Sequence, residues 1–175
     1  MILNFLPDMP GRSQNQDLRF IGYWHSVHVP KDKFGVPAKP GLDYEHYEAL
    51  QATQNALLPR PHEWVDLTWD TAERDMVIAY LKKGVVFETW KGFSWCRFED
   101  CPTKGRGVGH RDFSDAEYVW PESFPHYLEA HGVRPPEEFV AHVREMVELA
   151  ATLAKSLEAQ VEQPIEAELQ VCYPQ

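Results

Sequence analysis

The stretch DTAERDMVIAYLKKGVVFETW, residues 70–90, decides the fold class. Asp70 followed three residues later by Glu73 has the spacing of a capping box, in which each side chain satisfies a backbone donor that the first helical turn leaves unpaired. The spacing predicts a helix over 71–83, with Ala72, Met76, Ala79 and Tyr80 on one face and Gly84 as its stop after Lys82 and Lys83. The pattern then changes within one residue. Val85 to Trp90 is β-branched and aromatic, a strand that Gly92 ends before a second aromatic run, Phe93-Ser94-Trp95.

The C-terminal region extends the mixed reading. Pro135 and Pro136 precede Glu137 and Glu138, which places proline and then acids where a helix N-terminus favours them. A helix of about 137–163 follows. Phe139, Val143, Met146, Ala150, Leu153 and Leu157 recur every three or four residues, and Val140, Val147, Ala154 and Val161 repeat every seven beside them. Glu138, Glu145, Glu148, Glu158 and Glu162 form a face that must stay in water, because unpaired buried carboxylates are costly. After Pro164, Ile165, Ala167, Leu169 and Val171 alternate with Glu166, Glu168 and Gln170, the period of a half-buried edge strand at about 165–171.

Toward the N-terminus, Pro7, Pro10, Pro30, Pro37 and Pro40 surround the aromatic run Phe20 to His25, so residues 1–42 read as an irregular wrap with one strand. Asp43 is placed to cap a helix through about Leu57, with Tyr44, Tyr47 and Leu50 on its apolar face, before Pro59 and Pro61 stop it. Together these elements predict a single α+β domain over 1–175. Its sheet is small and mainly antiparallel, packed by the long C-terminal helix and shorter helices.

With 17 Lys plus Arg against 27 Asp plus Glu, the chain of 175 residues carries a net charge of -10. That is the wrong sign for neutralising a phosphate backbone, so no nucleic-acid partner is expected. No apolar run is long enough for a membrane span, and the first residues lack the basic flank and continuous apolar core of a secretory signal. Cys96, Cys101 and Cys172 are an odd set that cannot all pair within one chain, so reduced thiols in a cytoplasm are expected. The acidity is uneven: residues 113–170 hold 12 acids and 3 bases, a net of -9, whereas the remainder holds 15 acids and 14 bases, a net of -1. Within the near-neutral part, Lys91, Arg97, Lys104, Arg106 and Arg111 make a locally basic stretch.

The block from Ser94 to His142 resembles a family of small uncharacterised bacterial proteins. The resemblance rests on Ser94-Trp95-Cys96-Arg97, Asp112-Phe113-Ser114-Asp115, Trp120-Pro121-Glu122, His126-Tyr127, His131 with Val133, and Pro136 through Phe139. A weaker likeness runs upstream through Trp69-Asp70, Glu73-Arg74 and Ala79 to Gly84. The family pattern carries glycine where this chain has Ala116 and Ser123. The resemblance implies a shared fold and a shared surface, and it brings no activity with it. The residues singled out as a functional cluster are Cys96, Arg97, Asp112, Asp115, Trp120, Glu122, His126, Tyr127 and His131. Trp120, Tyr127 and Phe139 are equally expected as core.

Two kinds of chemistry fit the block. Cys96 and Cys101, followed by His110 and His126, are four ligands of the type a tetrahedral zinc site accepts, although the single loose cysteine pair is not diagnostic spacing. No cofactor is the primary expectation and zinc the alternative. Cys96 beside Arg97 is also a candidate nucleophile, with His110 or His126 as base. His126 and His131 are five residues apart, about 140° around an ideal helix, so they can share a ligand only if the last turn opens near His131; otherwise both lock the turn by bonding carbonyls. The run Gly105 to Arg111 is glycine-rich and basic but fits no phosphate-binding fingerprint and reads as a surface loop. His25-x2-His28 and Asp43-Tyr44-Glu45-His46 lack partners at ligand spacing.

The sequence favours a non-enzymatic cytoplasmic protein that docks a protein partner of basic character, in a regulatory or immunity role, through its acidic helical face or its aromatic block. The alternative is a small metal-binding protein or a hydrolase-like enzyme using the Cys and His residues of 96–131. Partner identity and oligomeric state are left open.

Overall fold

A computed structural model of the chain describes residues 18–25, 53, 55–103 and 107–161. It forms two compact units, residues 1–136 and 137–175. The fold is α+β, as the sequence predicts: a four-stranded mixed sheet, three helices and a short 3-10 turn. The edge strand expected at 165–171 lies outside the described residues, as does most of the helix expected from Asp43, of which Thr53, Asn55 and Ala56 have helical backbone.

In the first unit the strands are β1 (Arg19–Phe20), β2 (Val85–Thr89), β3 (Arg111–Ser114) and β4 (Tyr118–Pro121), in the spatial order β1-β4-β3-β2. Two pairings are antiparallel and the β1–β4 pairing is parallel. The aromatic run that begins at Phe20 contributes only this two-residue strand. Helix α1 (Thr71–Leu81) and helix α2 (Phe124–His131) lie against each other. In the second unit, α3 (Glu137–Val161) is the long C-terminal helix. Phe139, Val140 and Val143 near its start are buried, whereas Glu138, Glu145, Glu148 and Glu158 are exposed, as their charge requires.

Asp70 caps α1 by accepting a hydrogen bond from Glu73 N at 2.8 Å. The other half of the expected box is redirected, for the Glu73 carboxylate accepts the indole N–H of Trp69 at 2.6 Å. The apolar face also differs from the expected one. Val77, Ile78 and Leu81 are buried, while Ala72 and Ala79 are exposed. The helix carries apolar residues on two overlapping stripes, and the larger side chains face the core, where they bury more area. Gly84 is not a left-handed helix stop. A Cβ there would lie 2.4 Å from Trp120 Cζ2 and 2.9 Å from Phe113 Cβ. The glycine is present because the Trp120 ring occupies the space.

β4 is the central strand, and Tyr118, Val119 and Trp120 are fully buried on it. The Trp120 indole donates to Leu81 O at 3.1 Å, which ties the strand to the end of α1. β2 is the outer strand and is exposed along its length. Its register with β3 steps from Val86–Phe113 to Glu88–Asp112, leaving Phe87 as an extra residue, a bulge of the kind that blunts a sheet edge.

The β3–β4 turn shows what the expected family glycine would do. Asp115 Oδ1 accepts from Glu117 N and Tyr118 N, and Tyr80 donates its hydroxyl to the other carboxylate oxygen. Between them Ala116 is held at φ 80°, in the left-handed region. A side chain there costs about 1–2 kcal/mol, of which glycine's larger unfolded-state entropy takes back about 0.4–1 kcal/mol. Ala116→Gly is therefore expected to stabilise by about 1 kcal/mol, and Gly84→Ala to destabilise by about 1–3 kcal/mol. Denaturant midpoints at unchanged slope measure both, and the same sign for the two variants would contradict this account.

Candidate functional site

The site is built on α2 and on the segment 94–103 that crosses it. Pro125 sits in the first turn of α2, and Gly132 closes the helix at φ 64°. The Gly132 N–H bonds to Tyr127 O five residues back, one more than in an α-helix, and Val133 N bonds the same carbonyl at 3.1 Å. This widens the last turn and reduces the angular offset between His126 and His131. Their rings lie edge to face with centroids 5.1 Å apart. The strap at 64–66 secures the turn, since Arg134 N donates to Trp64 O at 2.7 Å and Asp66 N to Gly132 O at 2.9 Å.

Tyr127 fixes the crossing segment. Its ring is buried, and its hydroxyl accepts from Arg97 N at 3.0 Å and donates to Trp95 O at 3.2 Å. Phe98 then stacks parallel on His131, centroids 3.9 Å apart, with His62 on Phe98 at 4.1 Å. A turn from Phe98 O to Cys101 N brings the second cysteine back. As a result Cys96 Sγ lies 3.2 Å from His131 Nε2, and Cys101 Sγ lies 3.3 Å from His126 Nε2. The ligand atoms of Cys96, Cys101, His126 and His131 all lie within 4.8 Å of one another. A tetrahedron with Zn–S of about 2.3 Å and Zn–N of about 2.0–2.1 Å has S···N edges of about 3.5 Å, so the four atoms already stand near the corners such a site needs.

The electrostatics of the cluster suit ligands. Burial, and then the neighbouring positive charges of His126 and His62, lowers the His131 pKa, and burial alone lowers that of His126, so both rings favour the neutral form that binds metal. Burial pushes the Cys96 thiol up to about 11, against the N–H of Phe98 and the hydroxyl of Tyr127. At Cys101 burial also acts upward, but the hydroxyl and N–H of Thr103 and the Cys96 thiol outweigh it and hold the thiol below its ordinary value. N–H and O–H donors aimed at sulfur are the outer shell that orients thiolate ligands. A raised Cys96 pKa is the opposite of an activated nucleophile. The imidazole beside Cys96 is His131, which corrects the expected base, His110 or His126.

The ligand set expected from sequence is thus corrected in one member. His110 is not part of the cluster; its ring meets Phe93 edge-on and its Nδ1 lies 3.7 Å from a Glu122 carboxylate oxygen. His131 takes its place. The remaining members of the expected cluster are dispersed into structural roles. Asp112 accepts the Trp90 indole at 2.9 Å, Asp115 organises the β3–β4 turn, and Trp120 is core. Arg97 donates to Trp95 O at 2.7 Å. His25 Nδ1 donates to Asn55 O at 2.8 Å, and His28 with Asp43 to His46 lies outside the described residues.

Glu122 holds the end of the glycine-rich loop. It receives Arg111 at 2.6 Å and 3.3 Å and His110 N at 3.0 Å, and its side chain lies where a Cβ on Gly109 would fall. The Arg111 bonds, opposed by burial and helped by His110 N, lower its pKa. A lowered folded-state pKa means that the stabilisation is present above the unfolded carboxylate value of about 4.3 and is lost as pH falls through the folded value. Glu122→Gln should cost about 1–2 kcal/mol at neutral pH. The gap to the parent should narrow on acidification in urea titrations; a gap independent of pH would show that the charge contributes nothing.

Sequence reasoning places His131 in the candidate cluster but leaves it out of the zinc set, since sharing a ligand with His126 requires the last turn to open, and it misses Thr103 and Phe98 because donors to sulfur have no spacing signature. Compared with models of known protein families, with curated proteins and with solved structures, the chain matches none.

Proposed function

We propose that the chain is a zinc-binding protein in which Cys96, Cys101, His126 and His131 form a closed structural centre. The observation that carries this reading is the convergence of two sulfurs and two imidazole nitrogens within 4.8 Å. A soft S2N2 set at tetrahedral spacing suits zinc, and four protein ligands leave no open position for a substrate. Bound zinc would join the 94–103 segment to α2, which otherwise meet through the Tyr127 hydroxyl and ring stacking. It would also hold Trp95 and Phe93 in place on the surface, where both are exposed.

That exposed aromatic rim supports a second part of the reading, a binding role in preference to catalysis. Trp90, Phe93 and Trp95 stand out with the edge strand residues Val85 and Phe87. Exposed aromatics beside charge are the usual anchors of a protein interface, and the acidic face of α3 would attract a basic partner.

Protein purified without chelator should carry about one zinc per chain with sulfur in its first shell, and removing the metal should lower stability by several kcal/mol. Cys101→Ser and His126→Ala should each abolish stoichiometric binding, whereas His110→Ala should leave it intact. Elemental analysis and X-ray absorption give the answer; a chain without zinc that also fails to bind added zinc ends the proposal.

A further inference from the structure

A cavity of about 560 Å³ opens beside the metal ligands, on the flank of the segment they fix. Its walls include Trp24, Trp90, Phe93 and Trp95, with Lys91, Arg97 and Arg111 among them. Among the described residues Asp112 is its one carboxylate, and that group accepts the Trp90 indole. Such a volume suits one small ligand, and flat aromatic walls suit a planar ring.

The charge of the walls is opposite to that of the molecule. In a chain of net charge -10, Lys91, Arg97 and Arg111 face one carboxylate among the described residues of this cleft, and Arg111 is itself paired with Glu122. Two of its lining residues also hold buried donors without an acceptor, Trp24 Nε1 and Arg97 Nε. Trp24 itself is only 6% exposed.

We propose that this cleft binds a planar aromatic anion, a ring carrying a carboxylate or a phosphate. The ring lies against the tryptophans and the anionic group meets Arg97 with Lys91 nearby, a charge-assisted contact that a neutral ring cannot make. The site is distinct from the metal centre, since Cys96 faces the sulfur and imidazole cluster while Trp95 and Arg97 on either side of it line the cleft.

Calorimetric titration with AMP and with indole-3-carboxylate, each beside its uncharged counterpart, adenosine or indole, tests this. The expected result is saturable binding of at least one anion, about tenfold or more tighter than its neutral ring, which corresponds to about 1.4 kcal/mol. Binding of AMP alone identifies phosphate as the preferred group, binding of indole-3-carboxylate alone identifies carboxylate, and either supports the proposal. Arg97→Gln should weaken the anion about tenfold with zinc content unchanged. Lys91→Gln, at an exposed position, should weaken it less and reduce its salt dependence. No saturable binding of either anion, or equal binding of anion and neutral ring, overturns the proposal. Zinc measured on the same samples separates the readings: anion binding by a zinc-free chain leaves the cleft standing without the metal, and zinc without anion binding does the reverse.

Discussion

The Tyr127 hydroxyl holds the arrangement on which the site depends. A fully buried tyrosine is a costly place for a polar group unless both of its hydrogen-bonding capacities are used, and here one hydroxyl serves two backbone groups of the same crossing segment. That pair of bonds fixes the segment on either side of Cys96. Tyr127 follows His126 directly and stands four residues before His131, so the same turn of α2 that anchors the segment supplies both imidazoles of the cluster. Burial raises its hydroxyl pKa well above the ordinary range, which keeps the proton in place as the donor to Trp95 O.

Much of the architecture is legible in the sequence because it depends on local chemistry. The Asp70 cap, the β2 run, the Gly132 closure and the start of α3 after Pro136 are all decided by residues within a few positions of the feature. What is not legible is decided at a distance. Gly84 follows a helix and looks like its stop, yet its lack of a side chain serves Trp120, 36 residues on, as the Cβ distance shows. Val77 and Ile78 outrank Ala79 for the core face because of what they meet. Glu73 leaves its expected partner because the Trp69 indole lies within reach at 2.6 Å.

The site divides in the same way. Cys96, Cys101 and His126 are recognisable as soft ligands from residue type alone. His131 is recognisable by type but not by placement, because its orientation relative to His126 follows from a carbonyl that accepts from five and six residues ahead. His110 looks equally suitable in sequence but is removed from contention by Glu122, whose carboxylate takes both its backbone N–H and the neighbouring Arg111. Competition for a ligand is settled by tertiary partners.

The Cys/His cluster and the cleft share one short piece of backbone, and their chemistries divide along it. Cys96 joins a cluster of sulfur and imidazole groups in which N–H and O–H donors are aimed at the sulfurs. Trp95 and Arg97 line a cleft whose described walls combine aromatic rings with positive charge. Such a cleft sits oddly on a chain with 10 more negative than positive charges until screening is considered. At about 0.15 M salt exposed charges are felt over only about 8 Å, so the charges that line the cleft decide its local field. What an anion would meet at the cleft is decided by Lys91 and Arg97, placed by the backbone on either side of Cys96, because Arg111 is already paired with Glu122.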